Sequence, residues 1–204
     1  MTNIFIHRAI NINYFLYICG LKNTPMYTIG YGNRDPENFI FLLKKFSIKY
    51  LVDIRTKPYS KFAPQFNQHE LKILLESQGV TYVFMGDLIG GIPRDPSCYN
   101  IEGKVDYGIL KTKDFFLQGI RRLKTAHDKG ISIVLMCSES KPSECHRSKL
   151  IGQLLKKENI MLTHIDEKGN LKDQITVMNE LNNGFPETDL FGKSLYSTSR
   201  KVYM

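Results

Sequence analysis

The stretch "VLMCSESKPSECHRSKL", residues 134–150, gathers two thiols, an imidazole and a guanidinium around one strand-to-helix turn. An apolar run stops at Cys137, seven polar residues follow, and Cys145, His146 and Arg147 arrive together as a helical pattern begins. Free N–H groups at a helix start favour a thiolate or a bound anion. Ser143 reads as the helix cap. Arg147 offers a planar fork for phosphate or carboxylate, and His146 exchanges a proton near neutral pH. Ser148 adds a hydroxyl. The chemistry this suggests is a nucleophile at Cys137 or Cys145, a proton carrier at His146 and an anion holder at Arg147. Three other readings stand beside it. They are a metal site on Cys137, Cys145 and His146, a redox pair, and a structural turn in which the cysteines are small hydrophobes.

Spacing removes some options. A phosphatase-type Cys-x5-Arg loop fails, because Ser143 stands where Arg is needed. The turn offers three metal ligands where structural zinc takes four, and the chain has no Cys-x2-Cys, so Asp53 or another group would have to complete the set. No metal is assigned, and the residues name no cofactor. In "VDIRTKP", Asp53 sits inside an apolar strand with Arg55 behind it. A buried carboxylate needs a partner, so Asp53 reads equally as a catalytic group and as half of an internal ion pair with Arg55 or Arg147. In "TIGYGNR", Gly30 allows close approach to backbone and Arg34 can face an anion. Asp35 stands where a dinucleotide-binding fingerprint requires glycine. In "KFAPQFN", Phe62 and Phe66 read as core plugs, with a base-stacking loop around Lys61, Gln65 and Asn67 as the alternative.

The elements that must position these groups alternate. "MYTIG", "KYLVDI", "VTYVFM", "ISIVLM" and "IMLTHI" read as short buried strands. Helical patterns lie between them. One is capped by Asp35 with Pro36 at its first position, and another opens on Asn67 with Glu70 in a capping-box arrangement. The expected fold is α/β, a mainly parallel sheet of about five strands flanked by helices in three layers. Such sheets bind ligands at the carboxyl ends of their strands. The long loop "GDLIGGIPRDPSCYNIEGKVDYG" holds five of the chain's fifteen glycines, among them Gly90 and Gly91.

The totals set bounds. A chain of 204 residues, 42% apolar and 24% charged, suits one folded domain without disulfide staples. Its net charge of +8 permits an anionic small molecule or a nucleic acid as partner and names neither. No apolar run reaches the roughly 18 residues of a membrane helix, and four scattered cysteines suit a reducing cytoplasm. Residues 1–25 read as an N-terminal extension without a signal-peptide pattern, 26–166 as the domain, and 167–204 as a partly disordered tail. Within the tail, "DQITVMNELNNGF" reads as a short helix. "ETDLFG", residues 187–192, loosely resembles a sliding-clamp-binding peptide but has Glu187 where Gln is usual, so Leu190 and Phe191 read first as packing onto the domain.

"YTIGYGNRDPENF", "LVDIRTKPYSKFAPQFN", "GVTYVFMGDLIGG", "VLMCSESKPSECHRSKLIG" and "THI" together resemble the DUF488 family, from Tyr27 to Ile165. The resemblance carries that family's pattern onto Gly30, Asp53, Arg55, Asn67, Gly90, Gly91, Cys137, Cys145, His146 and Arg147. Tyr31 departs from it, standing where many members have His or Ser. The family's name gives no reaction, so the resemblance implies shared site residues and no substrate. The expected function is a thiol-dependent enzyme acting on an anionic substrate, phosphate-bearing or nucleic-acid-derived. A nucleic-acid-binding or metal-binding module without catalysis is the alternative.

Overall fold

The computed structural model describes residues 24–183 and 197–204. Its sheet comprises β1 (Met26–Gly30), β2 (Tyr50–Asp53), β3 (Thr81–Phe84), β5 (Ile133–Cys137), β6 (Leu162–Ile165) and β7 (Leu171–Asp173), in the order β3-β2-β5-β1-β6-β7. All neighbours run parallel except β7, which lies antiparallel on β6. β4 (Lys104–Asp106) pairs separately with β8 (Thr198–Val202), antiparallel.

Helices cover both faces. α1 (Pro36–Lys45) opens with Asp35 accepting from the Asn38 N–H at 2.6 Å and Pro36 in its first turn, as expected. It packs Phe39, Leu42 and Leu43 with Leu71 and Leu75 of α2 (Gln68–Ser77) on one face of the sheet. α5 (Asp114–Asp128) follows the short α3 (Gly86–Ile89) and α4 (Tyr107–Leu110) and buries Phe116, Ile120 and Leu123 on the other face. There it meets Leu155 of α6 (Gln153–Lys157). Each such side chain contributes roughly 1.5–3 kcal/mol on burial. β5 shows why these strands read as unbroken apolar runs. Ile133, Leu135 and Cys137 enter one core, and Val134 and Met136 enter the other.

Strands β7 and β8 lie beyond the expected layout. β7 and the expected helix, α7 (Gln174–Asn182), extend the packed body past residue 166, with Val177 and Met178 buried. β8 also belongs to the former tail, and "ETDLFG" lies outside the described residues. Asn67 opens α2 without the expected side-chain cap, because its Oδ1 accepts from the Ser60 N–H at 2.6 Å. No helix among the described residues is long and apolar enough to cross a membrane.

The connection leaving β1 runs through α1 on one face, and that leaving β5 runs through α6 on the other. β1 and β5 are neighbours, so their carboxyl ends border the crevice where such sheets bind ligands. Gly30 and Cys137 lie paired at that edge.

Candidate functional site

The turn after β5 folds back across β1. The Tyr31 N–H donates to the Cys137 carbonyl at 3.1 Å, and the Gly32 N–H donates to that of Ser138 at 3.0 Å. A Cβ at Gly30 would lie 1.8 Å from the Glu139 carbonyl oxygen and 3.1 Å from Arg147 Nη1. Glycine is needed there for the turn itself, since backbone occupies the space. Residues Pro142–Glu144 form a 3-10 turn that contains Ser143, so Ser143 does not cap the next helix. That helix opens as a π-type segment, Arg147–Gly152, before becoming α6. Cys145 satisfies its start instead. The Arg147 N–H donates to Cys145 Sγ at 3.5 Å, and the Ser148 and Lys149 N–H groups donate to the Cys145 carbonyl at 3.3 Å. The Ser148 hydroxyl is spent on the Pro142 carbonyl at 2.6 Å.

The two thiols are free, buried and 2.9 Å apart, sulfur to sulfur. Burial pushes Cys137 well above the usual thiol range, and the hydrogen bond with Cys145 adds to the rise, while Arg147 opposes it. Cys137 therefore stays protonated at neutral pH. His146 lies beside Cys145, its Nδ1 3.5 Å from Cys145 Sγ and its Nε2 3.2 Å from the Ile89 carbonyl. A carbonyl only accepts, so in the neutral ring Nε2 carries the hydrogen and Nδ1 turns a lone pair toward the thiol. Gly91 makes room for the ring, since a Cβ there would lie 2.9 Å from His146 Nδ1.

Glu139 completes the group. Burial works against its charge, yet the neighbouring His146, a backbone N–H and both thiols outweigh it and hold the carboxyl below its usual range. One ligand atom each of Cys137, Glu139 and Cys145 lies within 4.8 Å of the others, so this trio can also hold a metal ion.

The ion pair at the end of β2 is separate. Asp53 is fully buried and accepts four hydrogen bonds. Three come from Arg55: its N–H at 3.0 Å, Nε at 2.9 Å and Nη2 at 2.6 Å. The fourth is the Tyr82 hydroxyl at 2.8 Å. Asp53 shares a sheet face with Leu51, opposite to Cys137, and has no acceptor capacity left for substrate. Its carboxylate holds the Arg55 guanidinium in place. The Arg55 guanidinium lies over the Tyr31 ring, 5.2 Å from its centroid, and its Nη1 has no hydrogen-bond partner among the described residues.

A cleft of about 230 Å³ joins these parts. Arg55, Lys57, Tyr31, Cys137, Glu139 and His146 line it. A narrower pocket reaches Cys145 under Ser199 and Arg200 of β8 and Tyr203 just beyond it, and the two share Gly91, Glu139, His146 and Tyr203. The expected residues divide accordingly. Cys137, Cys145, His146, Arg55 and Gly91 converge. Asp53 and Arg147 stand behind the walls. Arg147 is fully buried, donates from Nη2 to the Ser140 carbonyl at 3.0 Å, and has no partner for Nε or Nη1 among the described residues. Arg34 is taken up by the Gly30 carbonyl at 3.1 Å, Asn38 and the Asp166 carbonyl. Asn67 fastens a loop, and Gly90 packs against Gly86 and Thr56. Sequence reasoning missed Glu139, Lys57 and Tyr203. Glu139 sits two residues after Cys137 in a run of polar loop residues, where nothing but proximity marked it.

No curated protein and no solved structure matches the chain. The family model for the domain of unknown function DUF488 matches residues 35–154, more than half of the 204 residues and within the stretch whose motifs carry the resemblance. On that match, with the thiol turn and the Asp53–Arg55 pair inside it, the chain belongs to the DUF488 family.

Proposed function

We propose that this protein is a thiol-dependent enzyme acting on an anionic substrate, with Cys145 as nucleophile. The observation that carries the reading is the fixed tautomer of His146, whose free Nδ1 lone pair lies 3.5 Å from Cys145 Sγ. The Cys145 S–H proton passes to Nδ1, and the sulfur electron pair attacks an electrophilic centre of the substrate. The departing group takes the proton back from Nδ1. Ionised Glu139 steadies the imidazolium that forms between these steps. Cys137, held protonated, donates its S–H to the Cys145 thiolate across 2.9 Å. Arg55 and Lys57 on the cleft wall attract the anion. Free thiols suit a reducing cytoplasm.

The test is the alkylation rate of each cysteine against pH, read by peptide mass. Cys145 reacts before Cys137, and His146→Gln slows it by about a hundredfold or more, the low end of general-base effects. Equal rates for both thiols, or no effect of His146→Gln, would end the proposal. A metal centre is the second reading, favoured by the clustering of Cys137, Glu139 and Cys145. In that case zinc added to chelator-treated protein masks both thiols and releases protons, and chelator restores them.

A further inference from the structure

The loop after β2 carries apolar rings that the fold does not use. Phe66, one of the two expected core plugs, is fully buried, stacks on Tyr31 with centroids 4.6 Å apart and meets Phe39 edge-on at 5.2 Å. Phe62, the other, is 87% exposed, and Tyr59 is 73% exposed. Neither ring is loose. The Ser60 hydroxyl accepts from the Phe62 and Ala63 N–H groups at 3.2 and 3.3 Å, and Asn67 Oδ1 accepts from the Ser60 N–H. The Gln68 N–H closes the loop on the Pro58 carbonyl at 3.0 Å. The loop is thus fastened at its base with Phe66 as anchor, while Tyr59 and Phe62 stand in water.

The charges alternate with the rings. Lys57 precedes Tyr59, and Lys61 precedes Phe62 with its Nζ 5.1 Å from the ring centroid. No acidic residue falls between Ile54 and Glu70. Tyr59, Lys57 and Arg55 belong to the wall of the cleft that holds Cys137 and His146. Exposed π-faces interleaved with cations match stacked bases joined by phosphates better than a protein or lipid surface.

We infer that the substrate of this cleft is single-stranded nucleic acid, with bases stacked on Tyr59 and Phe62, phosphates at Lys57 and Lys61, and one nucleotide entering beside Arg55. The inference rests on the thiol reading of the cleft only for what happens after binding. The net charge of +8 supplies the long-range attraction.

The experiment is fluorescence anisotropy of labelled oligothymidine and oligouridine with the full chain, over a salt series. Affinity falls as salt rises. Tyr59→Ala and Phe62→Ala each weaken binding roughly 5- to 150-fold, the range for loss of one stacked base, and Tyr59→Phe preserves it. The tighter of the two oligonucleotides identifies DNA or RNA as the source. Bound oligonucleotide also slows alkylation of Cys145. The inference is overturned if the alanine variants bind like the parent, if inorganic polyphosphate binding falls equally in them, if duplex binds as tightly as single strand, or if alkylation is unchanged by saturating oligonucleotide. Failure of the thiol reading appears elsewhere, in alkylation rates measured without nucleic acid.

Discussion

At the scale of residues, one side chain singled out by its type turns out to hold another in place. Asp53 reads from the sequence equally as a catalytic group and as half of an ion pair, because a carboxylate inside an apolar strand needs a reason. Its reason is Arg55, held through three hydrogen bonds. Replacing Asp53 with Asn leaves a 7%-exposed guanidinium without its counter-charge. Breaking a buried pair in this way costs about 3–5 kcal/mol, so urea denaturation of Asp53→Asn shows a loss of that size. Tyr82→Phe removes one of four bonds to the same carboxylate and costs about 1.5–3 kcal/mol, less than loss of the charge itself. Burial and the Asp53 carboxylate push the Tyr82 phenol far up, so it remains a donor at any working pH. The Asp-x-Arg pair was legible because its two members are near neighbours of unusual type. Tyr82 was not, because it joins them across the β2–β3 pairing and nothing in "VTYVFM" marks its hydroxyl.

At the scale of elements, the site depends on how segments are pinned to one another. Gly91, in the turn after α3, is what lets the chain pass the His146 ring. Gly91→Ala displaces an imidazole and no backbone, so Cys145 alkylation slows while the unfolding midpoint moves little. An unchanged rate would mean that the ring position does not govern the thiol. The other pin is a buried relay. The Thr28 hydroxyl meets His164 Nδ1 at 2.7 Å, His164 Nε2 donates to Gln174 Oε1 at 2.8 Å, and Gln174 Nε2 donates to the Ser148 carbonyl at 3.0 Å. It ties β1, β6, α7 and the π-type segment together. Burial lowers His164 to about 4, with the Arg147 charge adding to the fall. The unfolded chain therefore binds a proton between about pH 6.5 and 4 that the folded chain refuses, and stability falls as pH drops through that window. The loss attributable to His164 is about 3 kcal/mol across it. Urea midpoints at several pH values in the wild type and in His164→Gln check this, and the variant loses most of the slope. The strand in "IMLTHI" and the helix in "DQITVMNELNNGF" were legible in the sequence, whereas β7, three residues of "LKD", has no pattern to read.

At the scale of the molecule, the sheet order makes the site. α/β layering followed from alternating buried strands and helical patterns, so the crevice at the strand ends could be anticipated. Its cover could not. β8 pairs with β4 across nearly half the chain, and a five-residue "TSRKV" carries too little periodicity to announce a strand. The Ser199 hydroxyl accepts from the Val105 N–H at 2.9 Å, the Tyr107 N–H donates to the Ser197 carbonyl at 2.7 Å, and Arg200 pairs with Glu144 at 2.9 Å. These bonds lay Ser199, Arg200 and Tyr203 over the pocket that reaches Cys145. Within β8 itself Ser199 alone is buried, so the strand contributes little apolar burial and its attachment is mostly polar. Few buried apolar contacts are the mark of a segment that opens locally at low cost. Removing residues 197–204 therefore leaves cooperative unfolding of the six-stranded body intact and raises the alkylation rate of Cys145 several-fold, while Cys137 gains less, because its cleft is already open at the Arg55 side. The measurement is the rate for each cysteine in the full and shortened chains at one pH, with near-ultraviolet circular dichroism to confirm native packing. Equal rates in the two chains would show that β8 does not screen the thiol and that substrate reaches Cys145 by the larger cleft alone.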